Sequence, residues 1–206
     1  MRTHQDPWVL SLKGVVCGCI TFASDAFSND TLRKRQNLAP VVLRCLDHIK
    51  GLGMNQVASP DYDSVILTLM CGIDGQNRKA VSTDDLRSKY HEFIAWCQRA
   101  EEEGLANEED NSSYPDYWYS ISNSSTNRRF VVSDSELLGM APLQTRPGDY
   151  LCVISGSAVP FVLRKLAGRW KLIGDAYCRK AVMVIGPDLM FDQAGYERQS
   201  EWLDIC

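Results

Sequence analysis

The pattern of apolar and polar residues in the sequence changes near residue 128. From there to about residue 190, short apolar runs alternate with turn residues: RRFVVSDS, GDYLCVIS, PFVLRKL, WKLIGDAYC and AVMVIG. Runs of this length, rich in β-branched and aromatic residues, are typical of antiparallel strands. We therefore predict a small antiparallel β-sheet or barrel over about 128–190, with a tight hairpin at Ala167-Gly168-Arg169.

The residues before this point predict an N-terminal strand followed by two to four helices. The run WVLSLKGVVCGCITFAS indicates a strand, a bend or bulge at Lys13-Gly14, and a second strand segment. The clearest helix is STDDLRSKYHEFIAWCQRAEEE, which Ser82 or Thr83 would cap. Its apolar residues recur at helical spacing and form one stripe: Leu86, Tyr90, Phe93, Ile94 and Cys97.

Two further helices are predicted upstream. The first lies in SNDTLRKRQNLAPVVLRCLDHIKGLG, where Asn29 or Asp30 would cap the start. Pro40 either kinks this helix or marks its true start. The second would begin at Ser59, with Pro60 as its first helical residue.

Together these patterns predict an α+β protein with a single domain over residues 1–206. The helical part would span about 25–105 and the β-rich part about 128–190, with a polar loop over about 106–127 between them. A hydrophobic content of 45% allows a core of ordinary size.

Charge and hydropathy exclude several classes of partner. The net charge of −4 offers no basic excess for nucleic acid. No window is long and apolar enough to span a membrane, and the N-terminus does not resemble a signal peptide. We therefore expect a cytoplasmic protein whose eight cysteines are free thiols. The closely spaced Cys17 and Cys19 would be buried small residues rather than metal ligands, so no metal is predicted.

Motifs of nucleophilic, nucleotide-binding or zinc enzymes are absent from the sequence, so no cofactor is predicted. The stretch SGS offers Ser155 and Ser157 as possible nucleophiles, but a nucleophilic serine needs a base within reach. The two internal histidines, His48 and His91, fall on predicted helices. The simpler interpretation is that SGS forms a bend between two strands.

The best candidate chemistry lies at the end of a predicted strand. Asp175 and Tyr177 alternate with other residues and so share a face, as a proton-transfer pair or a strand-end hydrogen bond. Arg164 would pair with a carboxylate, Asp175 or Asp149, or bind an anion. We take Asp175, Tyr177 and Arg164 as candidate catalytic residues. The candidate binding residues are Asp149, Trp170 and Phe161.

The β-rich part also resembles the C-terminal region of fungal heterokaryon-incompatibility (HET) domain proteins. The shared pattern is an arginine–aromatic strand, a GD turn, a V-x-x-G strand, a P-F-V-L-R strand and L-x-G-x-x-Y. Its residues here are Arg129, Phe130, Gly139, Pro142, Gly148, Asp149, Gly156, Pro160–Arg164, Leu172, Gly174 and Tyr177. The resemblance extends weakly upstream, to about Trp8–Met183.

Two departures from the family pattern bear on function. The motifs L-S-Y-x-W-G and W-I-D-x-x-C-I-N-Q of the HET domain have no counterpart here. After Tyr177 the chain reads CRKAVMVIGPDL where the family shows V-H-G-I-M-x-G-E. The resemblance thus implies a scaffold without the part tied to cell death.

Two functions follow as alternatives. The first is a cofactor-free cyclase or isomerase, such as a pericyclase, acting on an apolar intermediate of secondary metabolism in a closed pocket. The second is a non-catalytic regulatory or protein-interaction module derived from an incompatibility protein. The partner is a small apolar metabolite in the first case and another protein in the second.

Overall fold

The computed structural model describes residues 9–53, 62–74, 76, 78–81, 83–103, 114–179 and 200–206. The chain forms two compact units. The first, which we call the β unit, consists of Met1–Ala23 and Val131–Cys206. The second, the helical unit, consists of Ser24–Phe130.

The prediction of an α+β fold is confirmed, with seven strands and five helices in the described residues. The strands are β1 (Leu10–Ala26), β2 (Arg128–Ser133), β3 (Leu138–Pro142), β4 (Tyr150–Ile154), β5 (Phe161–Leu166), β6 (Arg169–Asp175) and β7 (Glu201–Ile205). The helices are α1 (Asn29–Arg33), α2 (Arg35–Gly51), α3 (Tyr62–Leu69), α4 (Asp84–Glu103) and α5 (Asp116–Ser124). No helix in the described part of the chain is long and apolar enough to cross a membrane.

The strands form one sheet in the order β3-β2-β1-β4-β5-β6-β7, and β1 also pairs with β7. This extra pairing closes a ring of five strands, β1, β4, β5, β6 and β7. The first half of β1 lies against β7 with Leu12 opposite Leu203, and the middle of β1 lies against β4. The strand runs without a break through Lys13-Gly14, where the interruption was predicted, and the register shift lies instead between Val16 and Gly18. This bulge lets one long strand serve both partners.

The interior of the ring is filled by side chains. Cys152, Leu163 and Leu203 are fully buried in one cluster, on which Leu12 and Trp170 pack. Because these residues come from all five strands of the ring, the cluster lies inside it. Successive strand residues face opposite sides, so Leu151 and Val162, the neighbours of the buried pair, join a second cluster on the other face.

The helical unit is built around aromatic contacts between α4 and α5. Phe93 and Tyr117 are both buried, with ring centroids 5.3 Å apart. The Tyr117 hydroxyl donates to the carbonyl of Ile66 in α3, so this buried phenol is satisfied. Of the predicted stripe on α4, Tyr90, Phe93 and Cys97 are buried, whereas Leu86 and Ile94 are half-buried. Thr83 caps the helix by accepting a hydrogen bond from Leu86 N at 3.2 Å.

Several boundaries differ from the prediction. The break between α1 and α2 lies at Lys34, and α2 begins at Arg35 and runs through Pro40, so the proline does not mark the start of the helix. The first cap is Ser28, whose hydroxyl accepts from Thr31 N at 3.0 Å. The loop predicted over 106–127 is wrong for residues 116–124, since burial of Tyr117 and Ile121 stabilises α5 despite its polar composition.

Two strands were not predicted, and two predicted segments lie outside the described residues. Neither β3 nor β7 was predicted; β3, LGMAP, contains no β-branched or aromatic residue. The β7 segment EWLDI does alternate between polar and apolar residues, which is a weak strand signal. The start predicted at Ser59 and Pro60, and the run AVMVIG, lie outside the described residues.

Candidate functional site

Arg164 and Asp149 form a closed, buried ion pair in the β unit. Arg164 Nε donates to Asp149 Oδ1 at 2.7 Å and Nη2 donates to Oδ2 at 2.9 Å. The arginine also donates to the carbonyl of Gln144 at 2.9 Å, and the carboxylate accepts from Arg146 N at 2.9 Å. Of the two alternatives for Arg164, Asp149 rather than Asp175 is therefore its partner.

The ion pair keeps the guanidinium of Arg164 charged. Asp149 is 1% exposed, while the hydrogen bond to it raises the pKa of Arg164 further above its usual range. A bidentate pair of this kind fixes the GD turn at the start of β4 against β5. The guanidinium is thus engaged by the protein itself rather than directed at a ligand.

The six predicted site residues do not converge on one site, although Arg164 contacts Asp149 and both Phe161 and Trp170 pack on one cluster. Arg164 is two residues from Val162 on β5 and so lies on the same face, whereas Phe161 lies on the opposite face with the ring interior. Trp170 also packs on the interior cluster, edge-on to Tyr150 at 5.3 Å between ring centroids. The candidate cation and the candidate aromatic residues are therefore separated by the sheet.

Asp175 and Tyr177 have different surroundings. Asp175 is exposed at the end of β6, opposite Phe161 in the strand register. Tyr177 lies just beyond β6, and its backbone exchanges two hydrogen bonds of 2.9 Å with Met140 in β3. The backbone of Tyr177 thus joins β3 to the segment that follows β6.

The SGS stretch is a bend, in agreement with the simpler interpretation. Gly156 adopts a φ of +82°, which a residue with a side chain rarely takes. Ser157 Oγ donates to the Val159 carbonyl at 2.9 Å and accepts from the Val159 amide at 3.2 Å. This local hydrogen bonding stabilises the turn between β4 and β5.

Burial suppresses the ionisation of several thiols. It raises the pKa of Cys17 to about 11 and those of Cys45 and Cys97 to about 12. Burial also raises the pKa of Cys152. Neutral buried thiols behave as small apolar residues. The described residues contain no group of three or more histidine, cysteine or acidic side chains that could hold a metal ion.

A cleft of about 610 Å³ opens on the helical unit, where the sequence indicated no site. One wall is the turn that follows α3, and the others are the start of α4 and the side of α5. Both charged and apolar groups line it, including Asp74, Arg78, Lys79, Val81, Thr83, Asp85, Lys89, Asp116, Tyr119 and Ser120. Sequence patterns missed it because its walls come from three separate elements.

Comparison with known families agrees with the architecture. The family model described as the Het-6 beta-barrel domain matches residues 82–184, half of the 206-residue chain. The chain belongs to this family. The predicted resemblance to the C-terminal region of HET-domain proteins is thereby confirmed. No curated protein and no solved structure gives a significant match.

In this Het-6 barrel the residues of the family pattern contact one another in pairs. Asp149 of the GD turn binds Arg164 of the P-F-V-L-R strand. A side chain on Gly174 would meet the ring of Pro142 at 2.8 Å. These pairs join segments distant in sequence, which gives the pattern a structural explanation.

Proposed function

We propose that this Het-6 barrel protein is a non-catalytic regulatory or interaction module, in which the barrel is the scaffold and the cleft of the helical unit is the binding site. The observation that carries this proposal is the pairing of Arg164 with Asp149. The guanidinium of Arg164, one of the three candidate catalytic residues, makes three hydrogen bonds to its own protein.

The separation of the candidate residues supports the same proposal. A proton-transfer site requires its acid, base and binding groups to converge on one reacting atom. Here Phe161 and Trp170 pack on the ring interior, while Arg164 lies on the other face of β5. These positions favour roles in packing and strand pairing.

The alternative is the cofactor-free cyclase or isomerase of secondary metabolism. Such an enzyme needs a closed apolar pocket that shapes its substrate. The ring interior, the natural place for one in a barrel, contains the fully buried Cys152, Leu163 and Leu203. The cleft of the helical unit is open and lined by six charged side chains, which suits an apolar substrate poorly.

A comparison of metabolites tests the proposal against this alternative. Cells that lack the gene are complemented with the wild type, Asp175→Asn or Tyr177→Phe, and their small molecules are compared by untargeted mass spectrometry. Glu201→Gln is the matched control, since Glu201 is another exposed acidic residue of the β unit. We expect all three variants to give the wild-type profile.

The opposite result would be a metabolite that accumulates in the gene deletion and in Asp175→Asn or Tyr177→Phe, but not in Glu201→Gln. If immunoblots showed equal protein in all strains, that pattern would overturn the non-catalytic proposal and favour the enzyme.

A further inference from the structure

The cleft of the helical unit contains one cation that no described carboxylate neutralises. We infer that this cleft binds an organic carboxylate with an aromatic body, with Lys79 as the anion-binding group and Tyr119 as the ring-binding surface. The inference deepens the proposed function, on which it rests, by naming the chemistry of the ligand.

Asp74 and Arg78, which both line the cleft, form an ion pair with each other. Asp74 accepts hydrogen bonds from the backbone amides of Gln76 and Arg78, both at 2.9 Å. Its other oxygen accepts from Arg78 Nε at 2.9 Å. The amide of Arg78 in particular lowers the pKa of this carboxyl, so Asp74 stays ionised as the partner of Arg78.

The second charged group is a lysine between two carboxylates. Lys89 Nζ lies 3.0 Å from Asp85 Oδ2 and 3.6 Å from Asp116 Oδ2. The hydrogen bond to Asp85 raises the pKa of Lys89, which keeps the ammonium charged. Asp85 and Asp116 also stand in the first turns of α4 and α5, where the helix dipole favours negative charge.

Lys79 is left as the cation available to a ligand. Among the described residues its side chain has no ion-pair partner, unlike Arg78 and Lys89. Its backbone is held in place, because Lys79 pairs with Ile73 in an antiparallel β-bridge. On either side of this bridge, the amide of Asp74 donates to Arg78 O at 2.8 Å and the amide of Ala80 donates to Gly72 O at 2.7 Å. A carboxylate reaching Lys79 would therefore meet a charge on a well-fixed turn.

An exposed aromatic ring lies in the same cleft. Tyr119 is 47% exposed, and its ring is contacted edge-on by Trp118 at 4.9 Å between centroids. Trp118 is in turn stacked on Tyr114 at 4.1 Å, which holds the group of rings in place. Val81 is 68% exposed and adds apolar surface at the turn. A ligand ring can stack there at low cost in conformational entropy.

The size of the cleft suits a small molecule. Its volume of about 610 Å³ lies within the range of pockets that bind compact organic ligands. An aromatic acid and the C-terminal aromatic residue of a peptide share the required chemistry, a ring next to a carboxylate. The experiment below separates these two sources.

The test is a titration of the ¹⁵N-labelled full chain followed by NMR. The probes are phenylacetate, its neutral counterpart phenylacetamide, and N-acetylglycylphenylalanine as a peptide C-terminus. We expect phenylacetate to shift the amide signals of Lys79, Ala80, Tyr119 and Ser120, and phenylacetamide to shift them much less. Tighter binding of the peptide mimic would support a peptide source, and tighter binding of phenylacetate would support a free acid.

Two variants test whether Lys79 is the group that binds the carboxylate. Lys79→Gln is expected to weaken phenylacetate binding by about two- to fivefold, as for other exposed ion pairs. Lys171→Gln, an exposed lysine of β6, is the matched control and is expected to bind as the wild type does. The inference is overturned if the cleft signals do not move, if phenylacetamide moves them equally, or if Lys79→Gln binds unchanged. None of these results affects the metabolite comparison, so failure of the ligand inference can be distinguished from failure of the non-catalytic proposal.

Discussion

The carbonyl oxygen of Tyr177 lies 2.8 Å from the point that a Cβ atom on Gly139 would occupy. The neighbouring Met140 exchanges two backbone hydrogen bonds with the same Tyr177, so the carbonyl cannot withdraw without breaking this bridge. The backbone at Tyr177 thus requires a glycine at position 139, and both positions belong to the family pattern.

Replacing Gly139 with alanine should therefore destabilise the β unit. We expect Gly139→Ala to lower the free energy of unfolding by about 2 kcal/mol, because an added methyl group in a tight contact forces the backbone apart. The control is Gly51→Ala at the end of α2, where an added Cβ meets nothing within 4 Å. Urea unfolding should show the control to be neutral or slightly more stable. Equal loss in both variants would contradict the role of this contact.

Breaking the buried ion pair should be more costly. Asp149→Ala leaves Arg164, whose side chain is 18% exposed, without its carboxylate. We expect a loss of about 3 kcal/mol in the free energy of unfolding, since an unpaired charge stays poorly solvated. The control is Asp25→Ala in the helical unit, which removes the partner of Arg44 where both side chains are about 60% exposed. That loss should stay below about 1 kcal/mol. Similar losses in thermal unfolding would contradict the structural importance of the buried pair.

Because burial raises the pKa of two thiols, we expect the protein to be less stable at alkaline pH. Folding raises the pKa of Cys45 and Cys97 from 9.0 to about 12, so the unfolded chain releases these protons first. Their contribution is complete below pH 9 and is lost as the pH rises from there toward 12. In that window, we expect each thiol to lower the free energy of unfolding by up to about 1.4 kcal/mol per pH unit.

Urea unfolding between pH 8 and 10.5 measures this slope. A variant with Cys45→Ala and Cys97→Ala should lose less stability over the same range, and an identical slope would exclude the thiols as its cause. At pH 8, iodoacetamide should modify the exposed Cys206 of the wild type first, as mass spectrometry would show.

The helices and strands could largely be predicted from the sequence because their signals are local. The stripe from Leu86 to Cys97 follows helical spacing, and the β-type runs are bounded by turn residues. The main failure arises where long-range packing overrides local composition. Residues 116–124 look like a loop in composition, but packing of Tyr117 on Phe93 stabilises a helix there.

The candidate site could not be predicted in the same way. Strand alternation within β5 already places Phe161 and Arg164 on opposite faces, so the sequence itself indicated that these two side chains face different surroundings. The cleft is different, because Lys79 and Tyr119 belong to a turn and a helix that are brought together only by packing of the helical unit.

The sequence by itself determined the α+β class, the β-rich C-terminal half and the family pattern, because each depends on neighbouring residues or on a string of motif residues. The tertiary structure decided the closure of the ring, where Leu12 pairs with Leu203, and the choice of Asp149 as the partner of Arg164. These choices depend on which distant segments meet. Local periodicity fixes the face on which a side chain lies, but long-range packing decides what it contacts.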